Sequence, residues 1–121
     1  MKRITALLVV AALAISMFPL AAFAKSEAHE GMYGGYYYTA TLTSSKTSAT
    51  TRMTYTGSTK IHSIGSVTHK TPSGATTRSP LSTTPQTSSA SVTLVTSNIT
   101  SVTQTYYVSN TAVTTIAFNV N

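Results

Sequence analysis

The chain has no cysteine and no tryptophan, and only two acidic residues stand against eight basic ones. Without cysteine there is no disulfide framework, no thiolate zinc site and no cysteine nucleophile. Both acidic residues, Glu27 and Glu30, fall early in the chain. Everything after Glu30 therefore lacks paired carboxylates for acid–base chemistry, an acid to orient a catalytic histidine, and an oxygen-rich cage for a hard cation. Apolar side chains are also scarce after residue 24, where Leu, Ile, Val and Phe number 15 among 97 residues. That is a thin core, and 121 residues leave room for one domain only. Helix-period apolar patterning and fixed-period repeats are absent after residue 24, which excludes bundles and solenoids.

What is present begins with an export pattern. Lys2 and Arg3 precede the apolar run Ile4 to Leu20, and Ala22-Phe23-Ala24 is a small-x-small cleavage site. We read residues 1–24 as a cleaved secretory signal peptide; the competing reading is a retained anchor, since the run is near membrane-spanning length. Pro19 and the Ala-x-Ala end favour cleavage. With no second apolar run, the expectation is a secreted, extracellular protein without a transmembrane segment after cleavage.

The remainder is built for strands. It holds 24 Thr and 16 Ser, and β-branched Thr, Val and Ile, stiff at χ1, fit a pleated sheet better than a helix. Alternation places Tyr36, Tyr38, Ala40 and Leu42 on one face of a strand over Tyr36–Thr43. A second strand, Ala49–Thr56, carries Ala49, Thr51, Met53 and Tyr55 on one face. Lys60–His69 is out of period, and Gly65 predicts a bulge there. Residues 71–89, with three Pro and eleven Ser or Thr, read as a long connection between sheets. Ala90–Thr96, Val102–Ser109 and Ala112–Val120 complete the set. The expectation is an all-β, small antiparallel sandwich of about six strands over residues 36–121, preceded by a flexible N-terminal arm at 25–35.

The search for chemistry gives few candidates. A Ser-His dyad using His62 or His69 has no acid to support it. Glu27, His29 and Glu30 suit zinc or copper by type, but on a flexible arm they read as a solvated cluster. His62 and His69 are too far apart along the chain to share one chelating face. The Thr-x-Thr pairs, such as Thr39-Ala40-Thr41 and Thr103-Gln104-Thr105, resemble the hydroxyl arrays of ice-binding proteins without their fixed repeat. No metal, cofactor or catalytic residue is assigned.

Charge is more informative. Lys46, Arg52, Lys60, Lys70 and Arg78 have no acidic neighbour in sequence, which attracts the chain to anionic cell-surface polymers or lipid head groups. The same residues also serve solubility and the protection of sheet edges. They are spaced singly, without the clustering or motifs of nucleic-acid binders, and nucleic acid is not an expected partner. Tyr33, Tyr36 and Tyr37 follow glycines, and exposed tyrosine offers contact area to sugar or a membrane interface.

The segment Glu30-Gly31-Met32-Tyr33-Gly34-Gly35-Tyr36, with the export signal and the basic, cysteine-free β-rich remainder, loosely resembles lactococcin-972-like bacteriocins. Those are small secreted β-sandwich proteins that interfere with cell-wall synthesis. The family's tryptophans and Gly-x-Trp-Ala-type segment are missing, so no functional residue is carried over. The resemblance implies an antibacterial role. The expected function is a secreted, non-enzymatic, cationic binder of an anionic cell envelope. The alternative is an extracellular structural, matrix or adhesin-type subunit forming homo-oligomers through sheet edges.

Overall fold

A computed structural model describes residues 24–120. It contains eight strands: β1 (Lys25–Tyr33), β2 (Tyr36–Ser44), β3 (Ser48–Tyr55), β4 (Ile61–Lys70), β5 (Thr76–Pro80), β6 (Ser89–Val95), β7 (Ile99–Val108) and β8 (Thr111–Asn119). They form two four-stranded antiparallel sheets, ordered β1-β2-β3-β6 and β5-β4-β7-β8. The sandwich is thus as expected in class, but with eight strands rather than six. The export-signal reading falls outside the described residues, apart from Ala24.

The two additional strands lie where an arm and a connection were expected. Residues 25–33, polar on both faces, are ordered as β1 by continuous pairing with β2, from Lys25 opposite Ser44 to Tyr33 opposite Tyr36. The hairpin turn is Gly34-Gly35, with φ of 60° and 84°, the two left-handed residues that suit a two-residue turn between twisted strands. Within the expected connection, Thr76–Pro80 pairs with β4 as β5. The chain stays bonded along β4 through Leu81 N–H to the Gly65 carbonyl, Thr83 N–H to the Ser63 carbonyl and Gln86 with Ile61, and only then crosses to β6 in the other sheet.

The alternating residues meet between the sheets. Ala40 and Leu42 of β2, Ala49 and Met53 of β3, Ile61 and Val67 of β4, Val102 and Tyr106 of β7, and Ile116 of β8 are buried in one cluster. Leu81, directly after β5 and still bonded to β4, is buried with them. Polar groups in this core are partnered except for the buried Gln104 Oε1, which has no hydrogen-bond partner. Thr51 donates its hydroxyl to Tyr106 Oη at 2.8 Å, and the Tyr106 hydroxyl donates to the Thr41 carbonyl of the opposite sheet at 3.2 Å. Burial pushes the Tyr106 hydroxyl's pKa up, against a smaller lowering from Thr51.

Gly65 is not a bulge. The register shift between β4 and β7 falls at Thr68/His69, and Gly65 instead marks a close approach. A Cβ there would stand 2.1 Å from the Thr103 carbonyl oxygen and 1.9 Å from Gln104 Oε1. The space is taken by the fully buried Gln104 amide, whose Nε2 donates to Ser63 Oγ at 2.8 Å and to the Leu81 carbonyl at 2.7 Å. The missing side chain at 65 admits a hydrogen-bonding group that ties Leu81 to β4.

Candidate functional site

The strand directions divide the turns between two ends of the sandwich. At one end lie the β1–β2 turn, the segment between β3 and β4, and the β7–β8 turn. At the other lie the β2–β3, β4–β5 and β6–β7 turns. The second end holds the groove of most interest.

The β2–β3 turn is shaped by Ser45. Its hydroxyl accepts from the backbone N–H groups of Thr47 and Ser48 at 3.2 and 3.3 Å, a local serine turn that leaves Lys46 exposed at the tip. The chain running from β6 to β7 is stitched to both neighbouring turns. Ile99 N–H donates to the Lys46 carbonyl at 3.0 Å, Thr96 N–H donates to the Thr47 carbonyl at 3.0 Å, and Lys70 N–H donates to the Asn98 carbonyl at 3.0 Å. Asn98 takes a left-handed φ of 56°, a conformation asparagine tolerates better than most residues. The β4–β5 turn is closed by Gly74 N–H donating to the Thr71 carbonyl at 2.8 Å.

These three turns enclose an open groove of ≈ 420 Å³ lined by Lys46, Lys70, Thr71, Asn98 and Thr100, with Pro72, Gly74 and Ile99 supplying apolar walls. Two lysines line it and no acidic residue does. Thr71, Thr100 and Asn98 add neutral hydrogen-bonding groups. Charge of one sign beside neutral donors is the chemistry that suits an anion's oxygens.

The other cations do not join this pair. Arg52 lies mid-strand on the outer face of its sheet, opposite Thr41 and Ser91. Arg78 sits on β5 opposite Thr68. Lys60 is at the far end, where its carbonyl accepts from Ser109 N–H at 2.8 Å. The five residues therefore form no single basic face, because they come from strands of both sheets and turns at both ends. Asn98, Thr71 and Thr100 carried no charge signal in the sequence; the only hint was an asparagine between two strands, the residue type that accepts a left-handed turn.

The aromatic candidates gather at the end opposite the groove. Tyr36 is 51% exposed and Met32, not picked out from the sequence, is 56% exposed. Tyr33 donates its hydroxyl to Thr111 Oγ1 at 3.2 Å, and its carbonyl accepts from the Tyr55 hydroxyl at 2.7 Å. Tyr36 meets the Tyr55 ring edge-on at 6.0 Å, and Tyr37 N–H donates to Thr56 Oγ1 at 2.9 Å. Tyrosines and lysine groove thus lie at opposite ends of one molecule, with Lys60 alone on the aromatic side.

The histidines are engaged separately. His29 Nε2 meets Glu27 Oε2 at 2.9 Å, and its Nδ1 meets Thr114 Oγ1 of β8 at 2.6 Å. Glu30, one position on, points to the other face of β1. His62 stacks on Tyr107 at 4.8 Å, and His69 Nε2 meets Ser79 Oγ at 2.8 Å. No cluster of three metal-ligating side chains occurs among the described residues, and no helix there is long and apolar enough to cross a membrane. In comparisons with known proteins, no family model, no curated protein and no solved structure matches the chain.

Proposed function

We propose that this protein is a secreted, non-enzymatic binder of anionic cell-envelope material, and that Lys46 and Lys70 are its principal contacts. The observation that carries the reading is their convergence on one open groove bordered by no carboxylate side chain. A phosphate or carboxylate group of a surface polymer or lipid head group fits that setting: two positive charges attract it, and Thr71, Thr100 and Asn98 offer polar contacts. Inhibition of bacterial growth would be the most concrete form of this activity. The exposed tyrosines at the far end are a second contact surface, outside the reach of the same anionic group.

The test is co-sedimentation of the purified protein with bacterial cell walls and with anionic vesicles, at low and high salt, beside a spin of protein alone. Binding is expected at low salt and release near 1 M salt, where screening lengths fall to about 3 Å. Each lysine near an anionic surface contributes about 1 kcal/mol, so Lys46→Gln with Lys70→Gln should weaken binding roughly tenfold to thirtyfold. Lys60→Gln, at the other end, should leave it nearly unchanged. Equal binding by the double variant would refute the groove assignment.

A further inference from the structure

Each sheet has two edge strands, and three of the four edges are defended. β1 carries Lys25, Glu27 and Glu30. β5 is five residues long and contains Arg78 and Pro80. β8 is irregular beside Tyr106/Tyr107, and its Val113 carbonyl accepts from the Tyr38 hydroxyl at 3.3 Å while Thr114 is held by His29. Short length, charge, proline and irregularity are the usual means by which an edge avoids pairing with another chain. β6, Ser-Ala-Ser-Val-Thr-Leu-Val, has none of them: it is uncharged, free of proline, and in unbroken register with β3 from Ser89 to Val95.

The phase of its outward backbone groups follows from two bonds. Tyr55 N–H donates to the Ser88 carbonyl at 2.9 Å and Thr96 N–H donates to the Thr47 carbonyl at 3.0 Å. Because an antiparallel strand turns alternate residues toward each neighbour, the even-numbered residues of β6 bond to β3. The backbone groups of Ser91, Thr93 and Val95 then point away from the sheet. Ser89 N–H alone of this series is engaged locally, donating to the Thr87 carbonyl at 2.9 Å.

We propose that β6 is the strand through which two copies of this chain pair, antiparallel about a two-fold axis at Val92, joining their β1-β2-β3-β6 sheets into one. The sequence of β6 is self-complementary in that register. Val92 meets the partner's Val92 and Ala90 meets the partner's Leu94, extending the inner face where Val92 and Leu94 are only partly buried against the core. On the outer face Ser91 meets the partner's Thr93, and Ser89 meets the partner's Val95, the latter 76% exposed in the single chain. No charge lies on the pairing strands. The nearest, Arg52 on β3, is kept from its counterpart by three strand spacings, about 14 Å, beyond the screening length of about 8 Å at physiological salt. A second copy is therefore the occupant this edge fits, and the proposal is independent of the lysine groove.

The experiment combines sedimentation velocity over a concentration series with single-cysteine cross-linking, which is clean because the chain has no cysteine. The unmodified protein should pass from one-copy to two-copy mass as concentration rises. Val92 would face its counterpart in a non-hydrogen-bonded pair with Cα atoms about 4.5 Å apart, within disulfide reach, so Val92→Cys should form a disulfide-linked dimer on oxidation. Leu94→Cys, about 14 Å from its counterpart in this register, should not. Ser91→Pro removes one outward N–H and should weaken association about tenfold or more, with far-UV circular dichroism confirming that the sheet is retained. One-copy mass at every concentration, open-ended polymers, or equal cross-linking at positions 92 and 94 would each overturn the proposal.

Discussion

Gly65→Ala should lose at least about 3 kcal/mol of stability, read as a fall of roughly 1 M or more in the urea midpoint. The reason is geometric. The added Cβ would meet the Thr103 carbonyl oxygen at 2.1 Å and the Gln104 Cα at 2.8 Å, both backbone atoms of the paired strand. A flexible side chain could move aside; the β4–β7 ladder cannot without opening its own hydrogen bonds. Gln104 would also be displaced, and with it the bonds from Nε2 to Ser63 and Leu81. Small domains hold only about 5–15 kcal/mol in total, so the variant should be partly unfolded at physiological temperature. Ser66→Ala, one residue away and pointing to the opposite face, should change stability by less than about 0.5 kcal/mol. A Gly65→Ala midpoint equal to the parent's would show that the two strands are less closely apposed.

Tyr106→Ala should be comparably damaging, at about 3–5 kcal/mol, because it empties the largest fully buried side chain from the core. Tyr106→Phe isolates the hydroxyl. It removes the acceptor for Thr51 and the donor to the Thr41 carbonyl, and leaving buried groups unpaired costs about 1–3 kcal/mol. The pH dependence gives an independent reading. Burial raises the folded-state pKa of Tyr106 above the ordinary tyrosine value of about 10. Above that pH the unfolded chain loses this proton while the folded chain keeps it, so stability falls as pH rises. This contribution is fully present below about pH 10, and Tyr106→Phe should flatten the decline above it. Identical alkaline slopes in the two proteins would mean that the hydroxyl ionises in the folded state as readily as in the unfolded one.

Strands with one buried face were legible in the sequence. Alternation alone put Ala40 with Leu42, and Thr51 with Met53, on one face of their strands, and all four are buried. β1 escaped notice because Lys25, Glu27, His29 and Glu30 leave it no apolar stripe; its order comes from pairing, which has no one-strand signature. Gly34-Gly35 was the available clue, since two adjacent glycines between extended segments signal a tight hairpin. β5 was hidden for a similar reason, being short and polar. The groove was less legible still. Lys46 and Lys70 are neighbours only because the β6–β7 chain passes between their turns, a fact of topology rather than of local pattern. Gly65 was noticed for the right reason and given the wrong one of two meanings: a strand glycine marks either a bulge or a close approach.

The sheet order also carries a kinetic consequence. β1, β2 and β3 follow one another as neighbours and can form by local hairpin closure. β4 has no such neighbour before it: its longer pairing is with β7, where Ile61 meets Val108, so that ladder can form only once most of the chain has been made. Contacts so distant in sequence close slowly, placing folding toward the millisecond-to-second range of all-β domains. Until then the inward residues of β4, Ile61 and Val67, lack their final cover. The interval between the emergence of β4 and the arrival of β7 is the part of the protein's life in which it is most exposed to misassembly.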